Sequence, residues 1–272
     1  MDAIELIALG NKARSALLAS GGIARPLSAF PQAPYFEAGG EIIWIGHYLP
    51  AWHPRAALTA RPVAAGLAVK LGAPPKLTWR REFPPMSVID PHVVREAAAA
   101  LLHAVCPLGR PRGFGALLCH ADLDFPLGLA RERVRELARA YSARDVEAVH
   151  SASRSLLGLG AGLTPSGDDL VAAALFGRRF IDRDAVWARL GVELVRDAGT
   201  ASHEISAALL ADAVAGESFE PLHELADALV AGDASGALAV APALVRVGQA
   251  SGWDMLAGLL IGILGARIFI DG

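Results

Sequence analysis

Ten prolines fall between positions 26 and 85 of this 272-residue chain, at 26, 31, 34, 50, 54, 62, 74, 75, 84 and 85. Proline lacks a backbone donor and clashes with the preceding helical turn, so no long helix crosses this stretch. Short extended runs are what remain. Tyr35–Ala38, the pair Gly39-Gly40 and residues 41–45 read as a β-hairpin, because paired glycines accept the positive φ of a tight turn. Residues 77–83 read as a further extended segment, and residues 1–20 as a leading helix. The character changes at Asp90-Pro91, a good N-cap followed by proline at the first helical position. Beyond it, helical patterning predicts helices near 91–105, 127–141, 144–157, 168–180, 183–198, 203–215, 219–231, 235–248 and 253–269. The expected fold class is α+β: a β-rich N-terminal third over residues 1–90 and a mostly helical domain over 91–272.

Hydrophobic residues make up 53% of the chain and charged residues 19%. That excludes a disordered chain, and a mean hydropathy of +0.39 raises the question of a membrane. The best candidate span, residues 255–270, offers only 12 residues before Arg267 interrupts it. A span needs roughly 20, so the segment reads as a buried core helix and no membrane partner is expected. The formal net charge of −3 gives no electrostatic footprint for nucleic acid. The N-terminus lacks the basic region of a secretion signal. Cys106 and Cys119 are too few for a disulfide framework and lack metal-ligand spacing, so a reduced cytoplasm is the simplest setting.

The richest stretch is Gly158-Leu-Gly-Ala-Gly-Leu-Thr-Pro-Ser-Gly-Asp-Asp169. Its glycines let backbone N–H groups approach a ligand, and the helix that follows presents unpaired N–H groups with partial positive charge. Together they suit a small anion or a phosphate. A Walker loop is excluded, because no Gly-Lys-Ser/Thr follows. No Gly-x-Ser-x-Gly nucleophile elbow surrounds Ser166.

A related turn, Ser251-Gly-Trp-Asp254, lies 85 positions after Ser166-Gly-Asp-Asp169. The shared pattern is Ser-Gly-x-Asp, an apolar helix, and a glycine eight residues after the Asp (Gly177, Gly262). Two copies at one offset predict two similarly built helix starts that face each other. A purely structural alternative is an acidic capping box, Ser at the N-cap with Asp three residues on. The first copy exceeds what a cap needs, since the adjacent carboxylates of Asp168 and Asp169 repel one another unless a cation, donors or a helix dipole offset them. A third cluster runs from Gly199 to Ser206, with Ser202 as its expected N-cap. His203 and Glu204 beside it are an acid/base or metal-ligand pair in type, although adjacent helical residues diverge by about 100°.

These strings resemble the AllH-like bacterial family, named for a subunit of the oxamate carbamoyltransferase complex. The glycine-rich run, Ser251-Gly-Trp-Asp254 with its Met-Leu-Ala-Gly continuation, and residues 200–210 carry the resemblance. It is specific over about residues 155–270 and faint before residue 90. The resemblance implies a complex that exchanges oxalurate plus phosphate for oxamate plus carbamoyl phosphate, with an acyl-CoA-synthetase-like partner subunit. Asp168, Asp169 and Asp254 are then the expected catalytic groups. Gly160, Gly162, Thr164, Ser166 and Gly167 from the first motif are expected to bind substrate. So are Ser251 and Gly252 from the second, and Thr200 and Ser202 from the third. Two other expectations stand beside this one: a stand-alone Mg²⁺-dependent hydrolase using the three aspartates and Glu204, and a non-catalytic scaffold whose glycines only pack helices.

Overall fold

The computed structural model describes residues 3–27, 35–64, 66–76 and 78–269. It divides into two compact units: Met1–Glu82 with Ser218–Glu220, and Phe83–Glu217 with Pro221–Gly272.

The first unit is a seven-stranded sheet with one helix. Its strands are β1 (Leu6–Gly10), β2 (Ile23–Pro26), β3 (Tyr35–Ala38), β4 (Glu41–Gly46), β5 (Ala56–Thr59), β6 (Val69–Lys70) and β7 (Thr78–Trp79). Their order is β6-β2-β3-β4-β5-β1-β7. The expected hairpin is β3–β4, with register Tyr35↔Trp44 to Ala38↔Glu41 and both turn glycines at positive φ. Phe36, Ile43, Ile45, Leu9 and Ala57 pack with Ala13, Ala16 and Leu17 of α1 (Asn11–Ala19).

Residues 1–20 do not form one leading helix. Leu6–Gly10 is a strand between β5 and β7, and the helix starts only at Asn11. Pairing with strands distant in sequence outweighs local helix propensity. The extended reading of 77–83 holds only at Thr78–Trp79, with Leu77 outside the described residues. Phe83 instead packs on Phe176 and Phe180 in the second unit.

The second unit is helical. Its helices are α2 (Pro91–Ala104), α3 (Arg131–Ala143), α4 (Val146–Arg154), α5 (Ser166–Ile181), α6 (Ala185–Ala201), α7 (Glu204–Ala215), α8 (Glu220–Val230), α9 (Ala234–Val245) and α10 (Ser251–Leu264). Asp90 caps α2 through the His92 N–H at 2.8 Å, with Pro91 at the first position as expected. Together with the sheet of the first unit, these helices make the chain α+β.

α5 and α10 form the centre. Every residue of α10 from Gly252 to Leu264 is buried. Ser251–Phe269 is long and apolar enough to cross a membrane by composition, but 83% of it is covered by protein. Glycine sets how closely the two helices approach. A Cβ on Gly262 would sit 2.0 Å from the Ala174 carbonyl, and one on Gly177 2.6 Å from that of Leu259. These two contacts map onto each other under the 85-residue offset, so the repeat in sequence is a pseudo-twofold in space.

Cys106 and Cys119 are joined as a disulfide, with Cα atoms 5.4 Å apart, which corrects the expectation of a reduced pair. They lie only 13 positions apart in sequence, and a short-range turn brings them together.

Candidate functional site

The glycine-rich run connects α4 to α5. Gly158, Gly160 and Gly162 adopt φ of +76°, +121° and +99°, a region that side chains other than glycine rarely enter. Gly158 is further required because a Cβ there would lie 2.4 Å from the Ala201 carbonyl. The Pro165 carbonyl accepts from the N–H groups of Asp168 and Asp169, which starts α5. The N–H groups of residues 160–164 find no acceptor among the described residues.

Neither Ser-Gly-x-Asp turn is a capping box. α5 and α10 begin at Ser166 and Ser251 themselves, and neither helix has a side-chain cap. The glycine of each turn has a packing role. A Cβ on Gly167 would lie 1.9 Å from the Leu156 carbonyl, and one on Gly252 2.0 Å from that of Leu244. The serines reach across instead. The Ser166 hydroxyl lies against Asp254, while Ser251 and Thr164 lie against Asp169. Thr164 Oγ1 and Ser251 Oγ are themselves 3.3 Å apart. Each motif's serine thus serves the other motif's aspartate.

The three aspartates differ sharply. Asp168 is only 2% exposed, and both its oxygens are occupied. Oδ1 accepts from the Gly158 N–H at 2.6 Å, and Oδ2 accepts from the Ser202 hydroxyl. Asp169 and Asp254 are 8% and 0% exposed, and Oδ2 of each has no partner. Burial pushes Asp169 well above the usual carboxylate range, and the charges of Asp254 and then Asp168 push it further, against the opposing hydroxyls of Ser251 and Thr164. Burial raises Asp254 from 3.8 to about 7, against the Phe114 N–H and the Ser166 hydroxyl. Both carboxyls are thereby held above the range in which an ordinary aspartate ionises.

The segment Gly113–Cys119, a run of 3-10 helix, was not legible as part of the site. The Phe114 N–H donates to Asp254 Oδ1 at 2.6 Å. Gly113 has φ +53°, and a Cβ there would fall 2.2 Å from the same oxygen. Gly115 backs onto Trp253, with its Cβ position 2.7 Å from that side chain. The string Gly-Phe-Gly at 113–115 is the only local signal, and it says nothing of a partner 140 residues away.

In the third block Ser202 and Thr200 take different partners. Ser202 is not an N-cap: α6 runs to Ala201, and His203 caps α7 by accepting from the Ile205 N–H at 3.2 Å. Ser202 bonds Asp168 instead. Thr200 is exposed, and its hydroxyl donates to the Asp197 carbonyl at 2.9 Å, away from the carboxyl pair. Among the described residues no three His, Cys, Asp or Glu side chains are grouped to hold a metal ion. Of the groups named for the Mg²⁺ alternative, Glu204 is exposed and each Asp168 oxygen already accepts one hydrogen bond.

Compared with known proteins, residues 156–263 match the family model described as oxamate carbamoyltransferase subunit AllH. That span includes the glycine-rich run, the Ser202 turn and both Ser-Gly-x-Asp motifs, and it leaves out Phe114. No curated protein and no solved structure matches the chain.

Proposed function

From the premise that the chain is AllH-like over residues 156–263, we propose that it is a subunit of an oxamate carbamoyltransferase-type complex and supplies the groups that hold the carbamoyl unit. The observation that carries this reading is the buried pair Asp169 and Asp254, each with an unpartnered oxygen, beside a loop whose N–H groups at residues 160–164 have no acceptor among the described residues. A carbamoyl group presents two N–H donors and one carbonyl oxygen. The free Oδ2 of the ionised carboxylate suits one of the donors. The N–H groups of residues 160–164 and the Thr164 hydroxyl suit the oxygen, on which negative charge develops during transfer.

The raised carboxyls provide for the proton. In transfer from oxalurate to phosphate, the bond between the carbamoyl carbon and the oxamate nitrogen breaks. A phosphate oxygen forms the new bond to that carbon. The protonated member of the pair gives its proton to the leaving nitrogen, and its ionised partner takes one from the phosphate. An acid and a base of near-neutral pKa suit this exchange best. Asp168 acts through others in this scheme, tying the start of the glycine run to the Ser202 turn. The carboxyl pair lies beneath the loop. Two open grooves of about 400 Å³ lie elsewhere, one along α4 at Glu147 and His150 and one between α3 and α4 at Arg133. Substrate reaches the pair when the loop parts from α10 and the Thr164–Ser251 contact breaks.

The test is to isolate the native complex with its partner subunits, an acyl-CoA-synthetase-like chain among those expected. Phosphate-dependent cleavage of oxalurate is then assayed for the wild type, Asp169→Asn and Asp254→Asn. The proposal expects both variants to assemble and to lose at least 100-fold in kcat, in the range general acid–base groups supply. Full activity in either variant overturns it.

A further inference from the structure

The Cys106–Cys119 disulfide closes a loop around a segment outside the family-matched region that touches the carboxyl pair. Within that loop the Phe114 N–H donates to Asp254, and Gly115 packs on Trp253. The left-handed Gly113 lies inside it, and left-handed His120 follows Cys119 directly. Glycine carries the greatest backbone freedom in the unfolded chain, and a cross-link between the loop's ends limits that freedom. Cys106 is exposed and Cys119 half-buried, so dissolved thiols have access to the bond. The rest of the unit's support for Asp254, from Ser166 and α10 itself, lies outside the loop.

We propose that the Cys106–Cys119 pair is a redox-sensitive clasp that fixes the Phe114 N–H on Asp254. The step is thiol–disulfide exchange with a small thiol. Two thiols give two electrons and two protons to the protein disulfide, leaving two cysteine thiols and one small disulfide. A small disulfide reverses it. Opening the clasp withdraws a donor that favours ionised Asp254, and the carboxyl then holds its proton to higher pH. The inference stands on hydrogen bonding within the chain and does not depend on the carbamoyl reading.

The test is amide hydrogen exchange of the full chain under oxidised glutathione and under dithiothreitol, with thiol titration of both samples. The proposal expects no titratable thiol in the oxidised chain and two in the reduced one. Exchange at Phe114 and its neighbours should rise at least tenfold on reduction, while amides of α5 and α10 keep their protection. The Cys106→Ser/Cys119→Ser variant should match the reduced protein and ignore the reagent. Free thiols in the oxidised sample overturn the proposal, as does unchanged Phe114 exchange. Loss of protection throughout α5 and α10 on reduction also overturns it, because the bond would then be a general staple.

Discussion

Asp254→Asn should stabilise the protein at alkaline pH, even though it removes a group placed in the site. The carboxyl titrates at 3.8 in its unperturbed state and at about 7 when folded. Its raised value means the folded chain binds a proton that the unfolded chain has released. That contribution is fully present below pH 3.8 and is lost as pH rises through about 7. At about 1.4 kcal/mol per pH unit, the loss reaches up to about 4 kcal/mol by pH 8. Asparagine is neutral throughout, and its carbonyl oxygen keeps the Phe114 N–H as donor. The variant should equal the wild type near pH 4 and exceed it progressively towards pH 8. Urea unfolding followed by tryptophan fluorescence at pH 4, 5, 6, 7 and 8 measures this. The difference between the two proteins cancels the titrating groups they share except Asp169, which the Asp254 charge raises and whose altered titration adds to the effect in the same direction. A variant destabilised by the same amount at every pH would refute the reasoning, since Asp254 would then be a hydrogen-bonded anion with no burial penalty.

Three other outcomes follow from the same geometry. Asp168→Asn should behave oppositely, costing about 1–3 kcal/mol in urea unfolding across pH 5–8, because an amide cannot accept from both the Gly158 N–H and the Ser202 hydroxyl. Gly262→Ala puts a methyl 2.0 Å from the Ala174 carbonyl and should lower the thermal midpoint steeply or prevent folding, whereas Gly199→Ala in α6 meets nothing within 4 Å and should stabilise by about 0.5–1 kcal/mol. Thr164→Val removes a hydroxyl that favours ionised Asp169, so the basic limb of the complex's pH–rate profile should move to higher pH.

How much of this was readable in the sequence depends on whether the cause was local. Gly39-Gly40 announced the hairpin and Asp90-Pro91 the start of α2, because a turn's φ and a helix cap are decided within a few residues. The 85-residue offset was legible too, and it pointed to α5 and α10. What each motif does was not. Ser166 and Ser251 have the spacing of caps, yet they serve aspartates across the helix pair. Asp168 and Asp169 are neighbours of one type, and only the fold separates the fully bonded carboxylate from the one with an unpartnered oxygen. Leu6–Gly10 misled because its strand partners lie some 50 and 70 residues away. The Phe114 N–H left no trace, since a backbone donor carries no side-chain signature.

The account rests on Asp169 and Asp254 forming one buried, proton-holding pair. Carboxyl ¹³C NMR titration of aspartate-labelled protein, assigned through Asp169→Asn and Asp254→Asn, measures this directly. Two carboxyl signals should titrate above the ordinary aspartate range, that of Asp254 near pH 7, with each variant altering the titration of the other site. Two signals that both titrate near pH 4, independently of one another, would contradict it.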